Sequence, residues 1–108
     1  MMDMALTRSF RETVKGRAER DAAFREALLT EAVEQLLGGE VETGKAILRD
    51  YINATVGFGK LAEETGTPAK SLMRMLGPNG NPRARNLLSV ISHLQDAAGL
   101  RLAVAAEH

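Results

Sequence analysis

The sequence predicts an all-α fold of five to six helices, with a short C-terminal strand as one interpretation of its last residues. Apolar residues recur three or four positions apart in successive segments of the 108-residue chain, as they do along one face of a helix. Glycine-containing breaks separate these segments. Hydrophobic residues make up 44% of the chain and aromatic residues 4%, with no tryptophan, so we expect an aliphatic core.

The composition also limits the classes of function. The absence of cysteine excludes disulfides and thiolate metal sites. No apolar run approaches the roughly 18 residues of a membrane span. The first residues, MMDMALTRSF, lack the long apolar segment of a secretory signal. We therefore expect a cytoplasmic protein that has no membrane contact and needs no cofactor, beginning at Met1 or Met4.

The first predicted helix begins after Thr7, which can cap it, and residues 1–6 are expected to fray. Phe10, Val14 and Ala18 are spaced four apart and form its apolar side. Its other side carries charges of both signs. This pattern indicates a solvated surface, with an arm that touches phosphate as the alternative.

Two longer helices are predicted next. Asp21 caps the first of them, which Gly38 and Gly39 end. The second extends from about 40 to 56 and contains Gly44, a poor helix former. We expect residues 1–56 to be a helical extension that packs on residues 57–108. The predicted buried residues are Phe24, Leu28, Leu29, Ala32, Val33, Leu36, Leu37, Ile47, Leu48, Tyr51, Ile52 and Thr55.

The segment from 58 to 77 is predicted to form two short helices, at about 59–66 and 68–76, joined by a tight turn. Gly66 can adopt the positive φ that the turn requires. Thr67 can cap the second helix, and Pro68 suits its first position because no N–H is needed there. Together these features describe a helix-turn-helix, whose second helix enters the DNA major groove.

After this motif, prolines and asparagines at 78–82 predict a loop, and the Asn81–Pro82 pair repeats the cap-then-proline pattern. The last helix is expected at about 82–97, with Gly99 ending it. Leu100, Leu102 and Val104 then alternate with other residues. This alternation suggests a short strand that pairs with its copy in a second subunit. The alternative is an extended tail on the core.

From Phe58 to Val104 the sequence resembles the lambda-repressor-like (Xre-type) helix-turn-helix regulators. The resemblance is carried by LAEETG at 61–66, TPAKSLMRML at 67–76, GNP at 80–82 and LLSVISHLQDAAGLRL at 87–102. With LTRSF at 6–10 and AILRDYINATVGF at 46–58, it narrows to the addiction-module antidote (HigA-like antitoxin) family and related DNA-binding prophage proteins. It implies a dimeric DNA-binding domain that represses its own operon and binds a small RelE/ParE-like toxin.

The candidate DNA-binding residues lie on and after the second motif helix, whose exposed first turns meet base edges in this architecture. Arg74 can donate two hydrogen bonds to a guanine, and Lys70 can do the same or bind a phosphate. Ala69 can contact a thymine methyl group, and Ser71 can bond a phosphate. Further candidates for operator contacts are Lys60, Thr67, Asn79, Asn81, Arg83 and Arg85.

Two other classes of function are alternatives to DNA binding. Catalysis is not expected, because the two histidines, His93 and His108, lie in no cluster with carboxylates and no nucleophile motif is present. The stronger alternative is a toxin-neutralising interaction module whose helix-turn-helix no longer binds DNA. Residues 1–56 carry ten acidic and eight basic residues, whereas residues 57–108 carry four and six, so the N-terminal helices would meet a basic partner.

Overall fold

The computed structural model describes the backbone of residues 4–108 and the side chains of residues 12–108. This part of the chain forms helices and no strand, which confirms the all-α prediction. None of its helices is long and apolar enough to cross a membrane. The six helices are α1 (Met4–Arg20), α2 (Ala22–Leu37), α3 (Val41–Ala54), α4 (Phe58–Thr65), α5 (Ala69–Met75) and α6 (Ala84–Ala98).

Several helix ends follow the local chemistry of the sequence. The Asp21 carboxylate accepts a hydrogen bond from the Phe24 N–H at 3.2 Å, which confirms the predicted cap of α2. Gly66 and Gly99 end α4 and α6 in the left-handed conformation, with φ of 73° and 69°. Both stops were predicted, because glycine pays no Cβ penalty in that conformation.

Three predicted helix starts were wrong. Helix α1 already includes Thr7, since the helix formers Ala5 and Leu6 precede it; the prediction for residues 1–3 lies outside the described residues. Pro68, not Thr67, is the N-cap of α5, and it is extended with ψ of 143°. The proline ring fixes φ but leaves ψ free, so the helix starts one residue later. The Thr67 N–H donates to the Thr65 hydroxyl at 3.3 Å.

Helix α6 starts two residues later than predicted: its N-cap is Arg83, which has no side-chain cap bond, so Asn81 does not cap it. Beyond Gly99 the chain forms no strand within this subunit. The Leu102 N–H donates to the Gln95 side-chain oxygen at 2.7 Å, and Leu100 and Leu102 pack against the core. The tail therefore lies on the core, as the alternative interpretation expected. Pairing with a second subunit stays a prediction.

One hydrophobic core joins the N-terminal helices to the helix-turn-helix. It contains side chains from α2, α3, α4 and α6. It also contains Leu72 of α5 and Leu76, the residue that follows α5. Since the helices share these contacts, α5 has a fixed place relative to α3. The fully buried members are Leu29, Ala32, Leu48, Ile52, Leu61 and Leu76.

Gly44 allows α2 and α3 to pack closely. A Cβ at this position would lie 2.6 Å from the Leu36 Cγ and 3.1 Å from the Ala32 carbonyl oxygen. We expect Gly44→Ala to lower the free energy of unfolding by about 1–3 kcal/mol, because the Leu36 side chain must move and the Ala32 backbone must shift slightly. Urea unfolding followed by circular dichroism measures this change.

Gly59 offers a matched control within α4, because a Cβ there would meet no atom within 4 Å. Gly59→Ala should raise the free energy of unfolding by up to about 1 kcal/mol, since alanine loses less backbone entropy in a helix. Equal effects of the two substitutions would show that close packing at Gly44 is not what limits stability.

Candidate nucleic-acid interface

The helix-turn-helix is held by apolar side chains on the inner faces of α4 and α5. Leu61 of α4 and Leu72 of α5 are buried, and so is Leu76 just beyond α5. Their burial packs both helices against the shared core. It fixes which side of α5 faces the core and which side faces solvent.

The outer side of α5 carries the two cationic residues of the helix. Lys70 and Arg74 are both exposed, and no other part of the described chain covers them. Ser71 is half-buried beside them. Helix α5 has seven residues, so at 1.5 Å per residue it is about 10 Å long, comparable to the width of the major groove.

A groove of about 430 Å³ lies between α5 and the start of α6, here called the α5–α6 groove. Its lining contains arginines, hydroxyls and amides but no acidic side chain. Such a surface favours anions because every charge on it is positive. It brings together six of the predicted residues: Thr67, Ser71, Arg74, Asn79, Asn81 and Arg83.

Sequence reasoning missed Thr65, Asn86 and Ser89, which also line the groove. Asn86 and Ser89 follow Arg83 at intervals of three residues, so all three share one side of the first turns of α6. This spacing of polar residues was a signal in the sequence. The spacing alone does not show that this side of α6 faces the groove, so it could be interpreted only with the structure.

Four predicted residues lie outside the groove. Lys70 and Arg85 are exposed on α5 and α6, and neither is part of the groove lining. Ala69 is half-buried and packs against the core, which limits its reach toward a thymine methyl group. Lys60 lines a different cleft, formed with α2, α3 and α6.

Two basic residues of α3 hold the C-terminal end of α5. Lys45 is 0% exposed, and its Nζ donates to the carbonyls of Gly77 at 3.0 Å and Gly80 at 2.7 Å. The Glu42 carboxylate lies 3.1 Å from the same nitrogen. Arg49 donates to the Leu76 carbonyl. These cations meet the end of a helix, where carbonyls lack partners and the dipole is negative.

Neither Lys45 nor Arg49 was predicted to have a role. Lys45 lies three and seven residues before the buried Leu48 and Ile52, so it belongs to the inner face of α3. That position was visible in the sequence. From the sequence, a lysine at this position is expected to be exposed. Its burial follows from its carbonyl partners, which lie more than 30 residues away in the chain.

In the described part of the chain, no three histidine, aspartate or glutamate side chains come together as metal ligands. No protein-family model, curated protein or solved structure matches the chain. The function is therefore inferred from the residues themselves.

Proposed function

We propose that the protein is a sequence-specific DNA-binding regulator, with α5 as the helix that reads the major groove. From the sequence resemblance we further propose that the protein is the antidote of a toxin–antitoxin module and that it represses its own operon. The α5–α6 groove is the observation that carries it. Arg74 and Arg83 line that groove without an acidic neighbour, next to the exposed Lys70.

The contacts divide into two kinds. Arg74 projects from α5 and is suited to a guanine edge, for which its guanidinium can supply two donors. Arg83, Asn81, Asn86 and Ser89 lie at the start of α6, where the sugar-phosphate backbone of DNA would pass beside α5. Their donors are suited to phosphate oxygens, which position the protein but carry no sequence information.

A homodimer is part of the proposal. A helix about 10 Å long contacts only a few base pairs, so specific binding calls for two half-sites about one DNA turn apart. Leu88 on α6 is 62% exposed and Val104 in the tail is 83% exposed. These apolar side chains supply surface for a contact between two subunits, with the tail as the segment expected to pair.

Titration of labelled DNA from upstream of the gene, at several salt concentrations, tests DNA binding. Each phosphate contact should add about 0.9 to the slope of log affinity against log salt. Arg74→Ala should lower the preference for the operator over unrelated DNA by about 1–3 kcal/mol. Arg83→Ala should weaken binding to all sequences alike and reduce the salt slope by about one contact.

Arg20→Ala is the matched control, because Arg20 is exposed at the end of α1 and is not among the residues that line the α5–α6 groove. It removes the same charge and should leave both the preference and the slope nearly unchanged. An affinity that does not respond to salt would overturn the proposal. Equal losses from Arg74→Ala and Arg20→Ala would show that α5 is not the reading helix.

A second candidate function is supported by the outer face of α2. Glu26, Glu31 and Glu34 are exposed on it, and Leu37 at its end is 67% exposed. This acidic face would suit a basic partner such as a RelE/ParE-like toxin. Co-purification with the product of a neighbouring short gene, without any DNA binding, would favour a pure interaction module. Both functions are compatible, because α2 and α5 present different faces.

A further inference from the structure

A second cleft, of about 450 Å³, lies where the N-terminal helices meet the helix-turn-helix domain. We call it the seam cleft. Its polar side chains include Arg25 of α2, Tyr51 of α3 and Lys60 of α4, and α6 contributes apolar ones. Its apolar lining consists of Ala22, Val56, Leu94, Ala97, Ala98 and Leu100.

The two cations of the seam cleft have no salt-bridge partner within residues 12–108. Arg25 is half-buried, and one of its terminal nitrogens donates to the Ala18 carbonyl at 2.8 Å. This bond holds the guanidinium in place and leaves its other N–H groups for a ligand. Lys60 is exposed and lines the cleft from α4. Glu26 is the one carboxylate in the lining.

Tyr51 is the third polar group and the most enclosed. It is 2% exposed and still contributes to the cleft lining. Burial raises the pKa of its phenol from the ordinary tyrosine value, while the positive charge of Arg25 acts in the opposite direction. The phenol therefore keeps its proton at neutral pH and can donate a hydrogen bond beside the guanidinium.

We propose that the seam cleft binds a small organic monocarboxylate. The carboxylate is held by Arg25 and Lys60, with the Tyr51 hydroxyl as a further donor, because charge-assisted hydrogen bonds to a carboxylate are strong. The apolar body of the ligand lies against Leu94 and Leu100. The volume falls within the range of about 300–1,000 Å³ that is usual for small-molecule sites.

The lining favours a monocarboxylate over a phosphate. Half of the lining residues are apolar and would meet no partner on an inorganic phosphate. Glu26 would also repel a doubly charged ligand more than a singly charged one. This site is separate from the α5–α6 groove, so the proposal does not depend on DNA binding.

Tyrosine fluorescence tests the proposal directly, since Tyr51 is the one tyrosine of the chain and there is no tryptophan. Butyrate is the probe, and butyramide is its neutral counterpart of the same shape. Butyrate should change the fluorescence along a saturating curve at neutral pH. Butyramide should bind at least about tenfold more weakly, because it offers no charge to Arg25 and Lys60.

Arg25→Gln and Lys60→Gln should each weaken butyrate binding, by about tenfold for Arg25→Gln. Lys15→Gln is the matched control, because Lys15 is exposed on α1 and is not among the residues lining the cleft. It should leave the butyrate curve unchanged. Because Lys60 is exposed, the Lys60→Gln protein should fold normally. It therefore still tests the proposal if Arg25→Gln unfolds the protein.

Three results would overturn the proposal. One is a fluorescence response to butyrate that never saturates, and another is equally tight binding of butyramide. The third is an unchanged butyrate curve for folded Lys60→Gln together with tighter binding of inorganic phosphate, which would make the cleft a general anion site.

Discussion

Gly80→Ala is expected to destabilise the protein by about 3 kcal/mol or more. A Cβ at Gly80 would overlap the carbonyl oxygens of Arg74 and Met75 and would lie 2.8 Å from the Met75 carbonyl carbon. These atoms belong to the backbone of α5, so they cannot turn away as a side chain would. Either the loop or the end of the helix must move, and the carbonyls held by Lys45 would move with it.

Urea unfolding of Gly80→Ala measures this loss, with Gly59→Ala as the control for adding a methyl group at a glycine with open space around it. Because Gly80 also lines the α5–α6 groove, DNA affinity should fall together with stability. A free energy of unfolding within about 0.5 kcal/mol of the wild-type value would show that the loop yields easily. The end of α5 would then not be held as tightly as its contacts indicate.

Lys45→Met is expected to cost about 3 kcal/mol. Methionine has a similar length and fills the same space, so the substitution removes the charge and the donors but little volume. The Gly77 and Gly80 carbonyls would lose their bonds to the buried Nζ. The Gly77 carbonyl keeps its bond from the Gly80 N–H, so the Gly80 carbonyl is the acceptor that loses its donor, at a cost of about 1–3 kcal/mol.

Lys15→Met controls for the change of residue type at an exposed site, and it should leave stability nearly unchanged. Hydrogen exchange at the amides of α5 gives a second measure. In Lys45→Met the exchange rate of the α5 amides should increase more than that of the α1 amides, because the lost bonds lie at the end of α5. Wild-type stability and exchange in this variant would contradict the role assigned to Lys45.

The parts of the fold that were predicted depend on interactions between close neighbours in the chain. The Asp21 cap bonds a residue three positions away, and Gly66 and Gly99 each end a helix through their own backbone angles. Periodic apolar residues likewise revealed the buried faces, but Leu37 and Thr55, which were predicted to be buried, are exposed. The start of α5 was missed by one residue, because proline limits φ and leaves ψ to the packing of the turn.

The parts that were missed depend on how distant segments pack. Lys45 is buried because α3 meets the loop that follows α5, which no local pattern encodes. Lys60, predicted to contact DNA, also lines the seam cleft with residues of α2, α3 and α6, and no local pattern encodes those neighbours. Most candidates after the turn do share one groove, since residues 67–83 are close in the chain and fold as one unit.

Chemical-shift mapping of the isotope-labelled protein with DNA from upstream of its gene tests the central proposal most directly. If α5 reads DNA, the largest shifts will be at the amides of Lys70, Ser71 and Arg74, with others at Asn81 and Arg83. The acidic face of α2 should remain unperturbed. Absence of shifts on α5, or shifts confined to the N-terminal helices, would contradict the proposed function.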